Sequence, residues 1–303
     1  MSGLDGLFVE EVQFRLRVRE VLRLPAFKGP AFRGALGITL RRAVCIRPRG
    51  SCGDCDELNC PYRLFFEPTD QRGLPIPSPF VLRPPRDLRE EMLPGEEMIL
   101  GMGLFGPAVR YLPLLVMVLD ECGRRGIGRG RGRFHLEEAA TPDGVVYSAG
   151  RLMYHPRGRP LRHYWEQPVP DDGRIRLEFL TPVLIRSKGR PVDPGSFEAF
   201  YAAVCRRVKL LARFYGAERI KESPPLREKA GSVLTELREL WPTVVRRRSL
   251  TQKRVVRYPG FVGRVGYSGL CEELQRWLRL GEAVAVGKGC TFGLGWYRVV
   301  RPS

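Results

Sequence analysis

The feature that most restricts this chain is an order of elements that occurs twice. Residues 8–20, FVEEVQFRLRVRE, alternate apolar and polar from Val12 to Val18 and predict a strand. After the turn LPAFKGP, the segment AFRGALGITLRRAV places Phe32, Leu36 and Leu40 every four residues. That spacing predicts a helix with Arg33, Arg41 and Arg42 off its apolar stripe. A cysteine-bearing loop and the Pro-rich stretch PIPSPFVLRPP come next. EEMILGMGLFG then predicts a strand, LPLLVMVLDECGRR an apolar helix, and GIGRGRGRF a glycine loop running into the strand RFHLEEA. The second half repeats this order. RIRLEFLTPVLI predicts a strand, and SFEAFYAAVCRRVKLLARFYG a helix with Phe197, Phe200, Tyr201, Val204, Val208, Leu211 and Tyr215 on one face. After an irregular stretch, KRVVRYPGFVGRVGYSG is expected to form paired strands and LCEELQRWLRL a short amphipathic helix. GKGCTFGLGWYRVV is expected to supply a second glycine loop and a closing strand.

Each half fits β-α-β-β-α-β. The expected fold class is therefore α+β: two tandem ferredoxin-like (RRM-like) domains with a Cys-rich loop inserted in the first. The Pro/Asp/Gly stretch EQPVPDDG, residues 166–173, is the expected junction. The expected domains are 1–168, carrying the cysteine loop 45–60, and 169–303, carrying the glycine loop 287–295.

Composition enters through charge. The chain has 51 Lys+Arg against 33 Asp+Glu, a net +18, and 44 of the 51 are Arg. Residues 1–170 carry 25 basic and 20 acidic side chains, and residues 171–303 carry 26 and 13, so +5 of the excess lies in the first part and +13 in the second. Heat adaptation adds both signs and does not produce such an imbalance. Arg presents a planar fork that grips phosphate bidentately and stacks on bases, so a polyanion bound mainly by the carboxy-terminal half is expected. No run approaches the roughly 20 apolar residues of a membrane span. The start MSGLDGLFVEEVQF lacks the basic, then apolar pattern of a signal peptide. A soluble cytoplasmic protein with no membrane partner is the expectation.

In that compartment eight cysteines do not form a disulfide framework. Cys122, Cys205, Cys271 and Cys290 are scattered singly and read as small buried hydrophobes. Cys45, Cys52, Cys55 and Cys60 form C-x6-C-x2-C-x4-C in a loop with few core formers. Four thiolates at this spacing suit a tetrahedral zinc ion with no open position, hence a structural one. An iron–sulfur cluster fits less well, because the spacing matches neither common ferredoxin pattern. Plain reduced thiols are the remaining alternative.

In the second glycine loop, Gly287, Gly289, Gly293 and Gly295 fall within nine residues beside Lys288. Glycines let the main chain approach phosphate and turn N–H groups toward an anion. The alternative is a glycine turn packed against the sheet. The loop is neither a Walker P-loop nor a Rossmann turn, since it leads into a strand. Its weaker twin, Gly126 to Arg133, occupies the matching place in the first half. Further candidates to contact a polyanion are Arg246, Arg247, Arg248, Lys253 and Arg264, with Lys28 and Arg33 flanking the start of the first helix. The histidines are His135, in a predicted strand and read as structural, and His155 and His163, in the basic and aromatic linker MYHPRGRPLRHYW. Such a linker composition suits RNA. No helix-turn-helix or zinc-finger pattern supports an Arg-rich DNA-binding protein.

In the stretches FRGALG (32–37), CPYRLF (60–65), LTP (180–182), GFVG (260–263) and GKGCTFGLGWY, the chain resembles the CRISPR-associated repeat-processing endoribonucleases of the RAMP superfamily. The likeness spans nearly the whole chain. It implies binding of a CRISPR repeat RNA stem-loop, with basic residues around the strands near GFVG gripping the RNA. It also implies one metal-independent cut, in which the RNA's 2′-OH attacks the adjacent phosphate to give a 2′,3′-cyclic phosphate, with no catalytic cofactor. Such a cut needs a base, an acid and a cation over the phosphorane. The family's base is often a His in the first helix or the loop after it, and residues 29–66 contain none. His155, His163 and Tyr62 are the remaining candidates. The departure also keeps open a non-catalytic RNA-binding subunit that holds a guide's repeat-derived end beside other subunits of a CRISPR effector complex.

Overall fold

Strand Phe8–Val18 buries Val12, Phe14, Leu16 and Val18, so the alternation seen in its sequence is a buried face of a sheet. In the computed structural model, which describes residues 3–47, 50–55, 57, 59–187, 189–249 and 254–300, this strand lies between two antiparallel neighbours. One is Glu97–Phe105, with Val12 opposite Met102, and the other is Phe134–Thr141, with Leu16 opposite Leu136. Phe80–Arg83 pairs with the far side of Glu97–Phe105. Gly144–Ser148 and Arg151–Leu152 extend the sheet beyond Phe134–Thr141. Helices Gly29–Val44 and Leu112–Arg125 give Phe32, Leu36, Leu40, Leu115 and Leu119 to the core beneath that sheet. Truncating one such leucine to alanine costs about 2–5 kcal/mol.

The second unit repeats the plan. Ile175–Val183 lies between Arg254–Ser268 and Tyr297–Val300, and Leu234–Ser249 pairs outside Arg254–Ser268. Numbering the four strands of each repeat in chain order, both sheets run second, third, first, fourth, which is the ferredoxin-like order. Helix Phe197–Tyr215 begins at Ser196, whose Oγ accepts the N–H of Ala199 at 3.5 Å. With helix Glu272–Val284 it brings Phe200, Tyr201 and Trp277 into the core, where Tyr297 of the closing strand joins them. No helix among the described residues is long and apolar enough to cross a membrane.

Three readings change. The stretch called Pro-rich contains the edge strand Phe80–Arg83, set between Pro79 and Pro84. KRVVRYPGFVGRVGYSG is a single strand from Arg254, and its partner is Leu234–Ser249, the stretch read as irregular. Of that partner's described side chains only Val245 is buried, so no apolar alternation marks it. The chain also divides at Leu7/Phe8 and at Gly158/Arg159, ahead of the expected junction at 168/169, so that residues 1–7 join 159–303 in the second unit. The helix Leu161–Trp165 accordingly goes with the second unit: Leu161 donates its N–H to the Leu7 carbonyl at 2.8 Å, and Arg162 forks onto Asp5 at 2.7 Å to each oxygen. Trp165 there meets Trp277 edge-on, 6.3 Å between ring centres.

Candidate nucleic-acid interface

Pairing of Arg254–Ser268 with Ile175–Val183 stops at Phe261. Residues 254–260 and 243–249 run on as a two-stranded ribbon. On one face of the ribbon the register sets Arg246 directly opposite Arg257, both exposed, with exposed Val244, Pro259 and Val255 around them. Like charges directly opposite destabilise a strand pair. Among the described residues neither arginine has a carboxylate partner, so this face leaves two guanidiniums able to take an anion. On the other face Arg247 lies 4.4 Å over the ring of Phe292, which is itself 5.9 Å from the ring of Tyr258. That stack ties the ribbon to the second glycine loop. Trp241, 57% exposed near the ribbon's base, offers a stacking platform. Arg248 stands opposite Val255 in the strand, but its side chain and Lys253 lie outside the described residues. Arg264 is exposed, yet its guanidinium is 3.8 Å from Glu178.

The glycine loop is held by its own backbone. Lys288 donates its N–H to the Leu184 carbonyl at 2.8 Å and Gly295 to Pro182 at 3.0 Å, while Leu294 bonds back to Gly289 at 3.2 Å. Gly287, Gly289, Gly293 and Gly295 all have positive φ. A Cβ on Gly295 would lie 1.9 Å from the Val286 carbonyl oxygen, and one on Gly287 2.4 Å from that of Leu184. Gly287 and Gly295 therefore serve close backbone approach, to the first strand's end and to Val286, which is the packing alternative. Lys288 stands exposed at the loop. The twin loop is built alike: Gly128 abuts the Arg23 carbonyl oxygen, and Gly132 that of Val21.

The first helix corrects one expectation. Lys28 does not face solvent or phosphate: it is 0% exposed, and its ammonium donates to the backbone carbonyls of Asp87 and, at 2.7 Å, Arg89. Burial pushes its pKa below the ordinary lysine value. Arg33 lies 5.1 Å over the ring of Phe66 and Arg41 5.5 Å over that of Tyr62, and the two rings stack at 5.5 Å. Tyr62 donates its hydroxyl to Glu67 at 3.2 Å. Burial first, then the Glu67 carboxylate, raises the pKa of this phenol. That direction opposes a role as base and suits a proton donor.

The histidines lie far from this stack in sequence, and only His163 belongs to the other unit. His155 is exposed in the segment that closes the first unit, and His163 is exposed in the second unit's helix Leu161–Trp165. His163 Nε2 is 3.4 Å from the Arg159 guanidinium. His135 is exposed on its strand with Nδ1 4.0 Å from Asp120. Cys45, Cys52, Cys55 and Cys60 line one pocket, yet no three His, Cys, Asp or Glu side chains among the described residues stand in metal-holding geometry. Burial raises the Cys52 thiol to about 11.

Arg41, Phe66, Arg257, Tyr258 and Phe292 were missed from the sequence. Arg257 shows itself only through strand register, and Arg41 meets Tyr62 across the whole cysteine loop.

A family model described as an N-terminal domain matches residues 7–159, and the model of the CRISPR-associated endoribonuclease Cas6 family matches residues 177–297. An uncharacterized protein of Archaeoglobus fulgidus is 25% identical over 281 residues, covering 91% of this chain and 92% of its own. Among solved structures, a Cas6 product complex aligns over 97% of this chain and 99% of its own with a TM-score of 0.59 and 17% identity. Thermus thermophilus Cas6 aligns over the same shares with a TM-score of 0.57 and 18% identity. A RAMP protein described as binding different RNA substrates covers 96% of this chain and 100% of its own, at a TM-score of 0.54 and 11% identity. At these identities the structural likeness concerns the fold.

Proposed function

Because the chain belongs to the family of CRISPR-associated Cas6 endoribonucleases, we propose that it binds CRISPR repeat RNA, cuts it once within the repeat without a metal, and keeps the processed guide. The observation that carries this reading is the Arg246–Arg257 pair on the ribbon, without a carboxylate partner among the described residues and inside the region matched by the Cas6 family model. Two guanidiniums held a strand apart can each fork onto a phosphate, and the Arg247–Phe292–Tyr258 stack fixes the ribbon's base. Lys288 adds a point charge at the neighbouring loop.

For the cut, the RNA's 2′-OH loses its proton to a base and attacks the phosphorus. The bond to the 5′-oxygen breaks, that oxygen takes a proton, and the ends are a 2′,3′-cyclic phosphate and a 5′-OH. Tyr62, protonated throughout the neutral range, is suited to supply the leaving group's proton, and Arg41 over its ring lies in reach of charge on the phosphorane. His155 and His163 are the candidate bases. A second reading, an RNA-holding subunit that does not cut, is favoured by the lack of any His in residues 29–66.

Labelled repeat RNA incubated with the protein in EDTA separates the two. One cut with a cyclic-phosphate end supports the enzyme, whereas tight binding with intact RNA supports the subunit. If His155→Ala and His163→Ala each leave the cleavage rate unchanged, neither is the base.

A further inference from the structure

Between Cys45 and Cys60 every described residue is exposed except the four cysteines. Even the apolar Ile46 is left 71% exposed, while Cys45, Cys52, Cys55 and Cys60 are half-buried and line one pocket with Val44, Arg47 and Arg63. Among the loop's described residues, then, only the cysteines turn their side chains inward. We propose that these four cysteines bind a structural zinc ion, a site that goes beyond the RNA-processing reading and stands or falls separately from it.

Two of the sulfurs are carried on regular structure. Cys45 follows helix Gly29–Val44 and donates its N–H to the Arg41 carbonyl at 2.9 Å. Cys60 precedes helix Pro61–Phe66, and its carbonyl accepts the Leu64 N–H at 3.1 Å. Cys52 and Cys55 sit on the loop between them. Zinc with four cysteines is bound as thiolates: four thiols give up four protons, and the site carries a net charge of two minus. Cations stand ready for that charge. The Arg41 side chain is hydrogen-bonded to Cys45 and lies in the field of Cys52, and it donates to the Gly50 carbonyl at 2.7 Å. Arg47 and Arg63 line the same pocket. Because the side chains do not stand in ligand geometry among the described residues, binding draws the four sulfurs together, as in a site that folds with its metal. Closure joins the end of the first helix to the start of the next, the two elements that carry Arg41 and Tyr62.

The test uses the full chain produced with zinc supplied, with metal content read by mass spectrometry. About one zinc per chain is expected, lost from Cys52→Ser and from Cys55→Ser and retained in Cys271→Ser. Replacement by cobalt(II) is expected to give the intense visible bands of a tetrahedral thiolate site. This measurement on the unaltered chain decides the matter if a cysteine variant fails to fold. Less than about a tenth of an equivalent of zinc with no cobalt bands overturns the proposal. So does full zinc in Cys52→Ser, or a brown chain containing iron and sulfide.

Discussion

The two units share a strand order and a glycine loop, and the arginines of the first unit's sheet differ from those of the second unit's ribbon in what they face. In the first unit Arg17 meets Glu137 and Glu97, Arg83 meets Glu11 at 2.7 Å, Arg89 meets Asp87 and Glu96, and Arg133 meets Glu20. These guanidiniums hold the carboxyls of Glu137, Glu96, Asp87 and Glu20 below the usual carboxylate range. On the second unit's ribbon Arg246 faces Arg257 instead. Abundant arginine is therefore not itself an RNA-binding surface. We propose that RNA binds where, among the described residues, arginine is left without an acidic partner.

The first way to break this likeness is at the loops. Gly295→Ala puts a Cβ against the Val286 carbonyl at positive φ, and Gly126→Ala does the same against that of Arg131. Each is expected to cost about 3 kcal/mol or more, read as lost thermal stability. Gly130→Ala, with open space around it, costs only the φ penalty of about 1–2 kcal/mol. Equal costs at all three would show that close approach does not shape the loops.

Two lysines separate next. Lys28→Met leaves two carbonyls without their donor and is expected to cost about 2 kcal/mol while RNA binding keeps its salt dependence. Lys288→Ala is expected to do the opposite, flattening the salt slope by about one unit with stability unchanged. Tyr62→Phe is expected to slow cleavage about a hundredfold at unchanged RNA affinity. Because its pKa is raised, the proton stays on Tyr62 as pH rises through neutrality, so the rate falls only above the ordinary tyrosine range of about 10.

The smallest effect concerns acid. The first unit's depressed carboxylates contribute stability that is present above their ordinary pKa and lost as pH falls through the depressed values. Arg17→Gln is expected to reduce the drop in melting temperature on acidification. An unchanged acid profile would mean that the pairs are screened to nothing.

Elements with a buried face were legible in the sequence, and elements without one were not. Helix Leu112–Arg125 and strand Phe8–Val18 carry their periodicity openly because half of each is in the core. Leu234–Ser249 is an edge strand running out into a ribbon, with Pro242 tolerated at the edge, so apolar alternation has no cause there. Phe80–Arg83 is too short, between its prolines, to announce itself. In the candidate site, Arg246 and Arg247 could be named from the sequence, but Arg257 and Phe292 needed register and contact. Lys28 misled because its position before a helix says nothing of carbonyls some sixty residues away. The cysteine spacing was visible at once, and the inward turn of the four sulfurs was not.

The most direct test is the salt dependence of repeat-RNA affinity for the intact chain and for Arg246→Ala/Arg257→Ala. The double variant is expected to flatten the slope by about two units, with its melting temperature equal or higher because a like-charge pair is removed. An unchanged slope, together with a flattened one for Arg17→Gln, would place the RNA on the first unit's paired arginines and contradict the assignment.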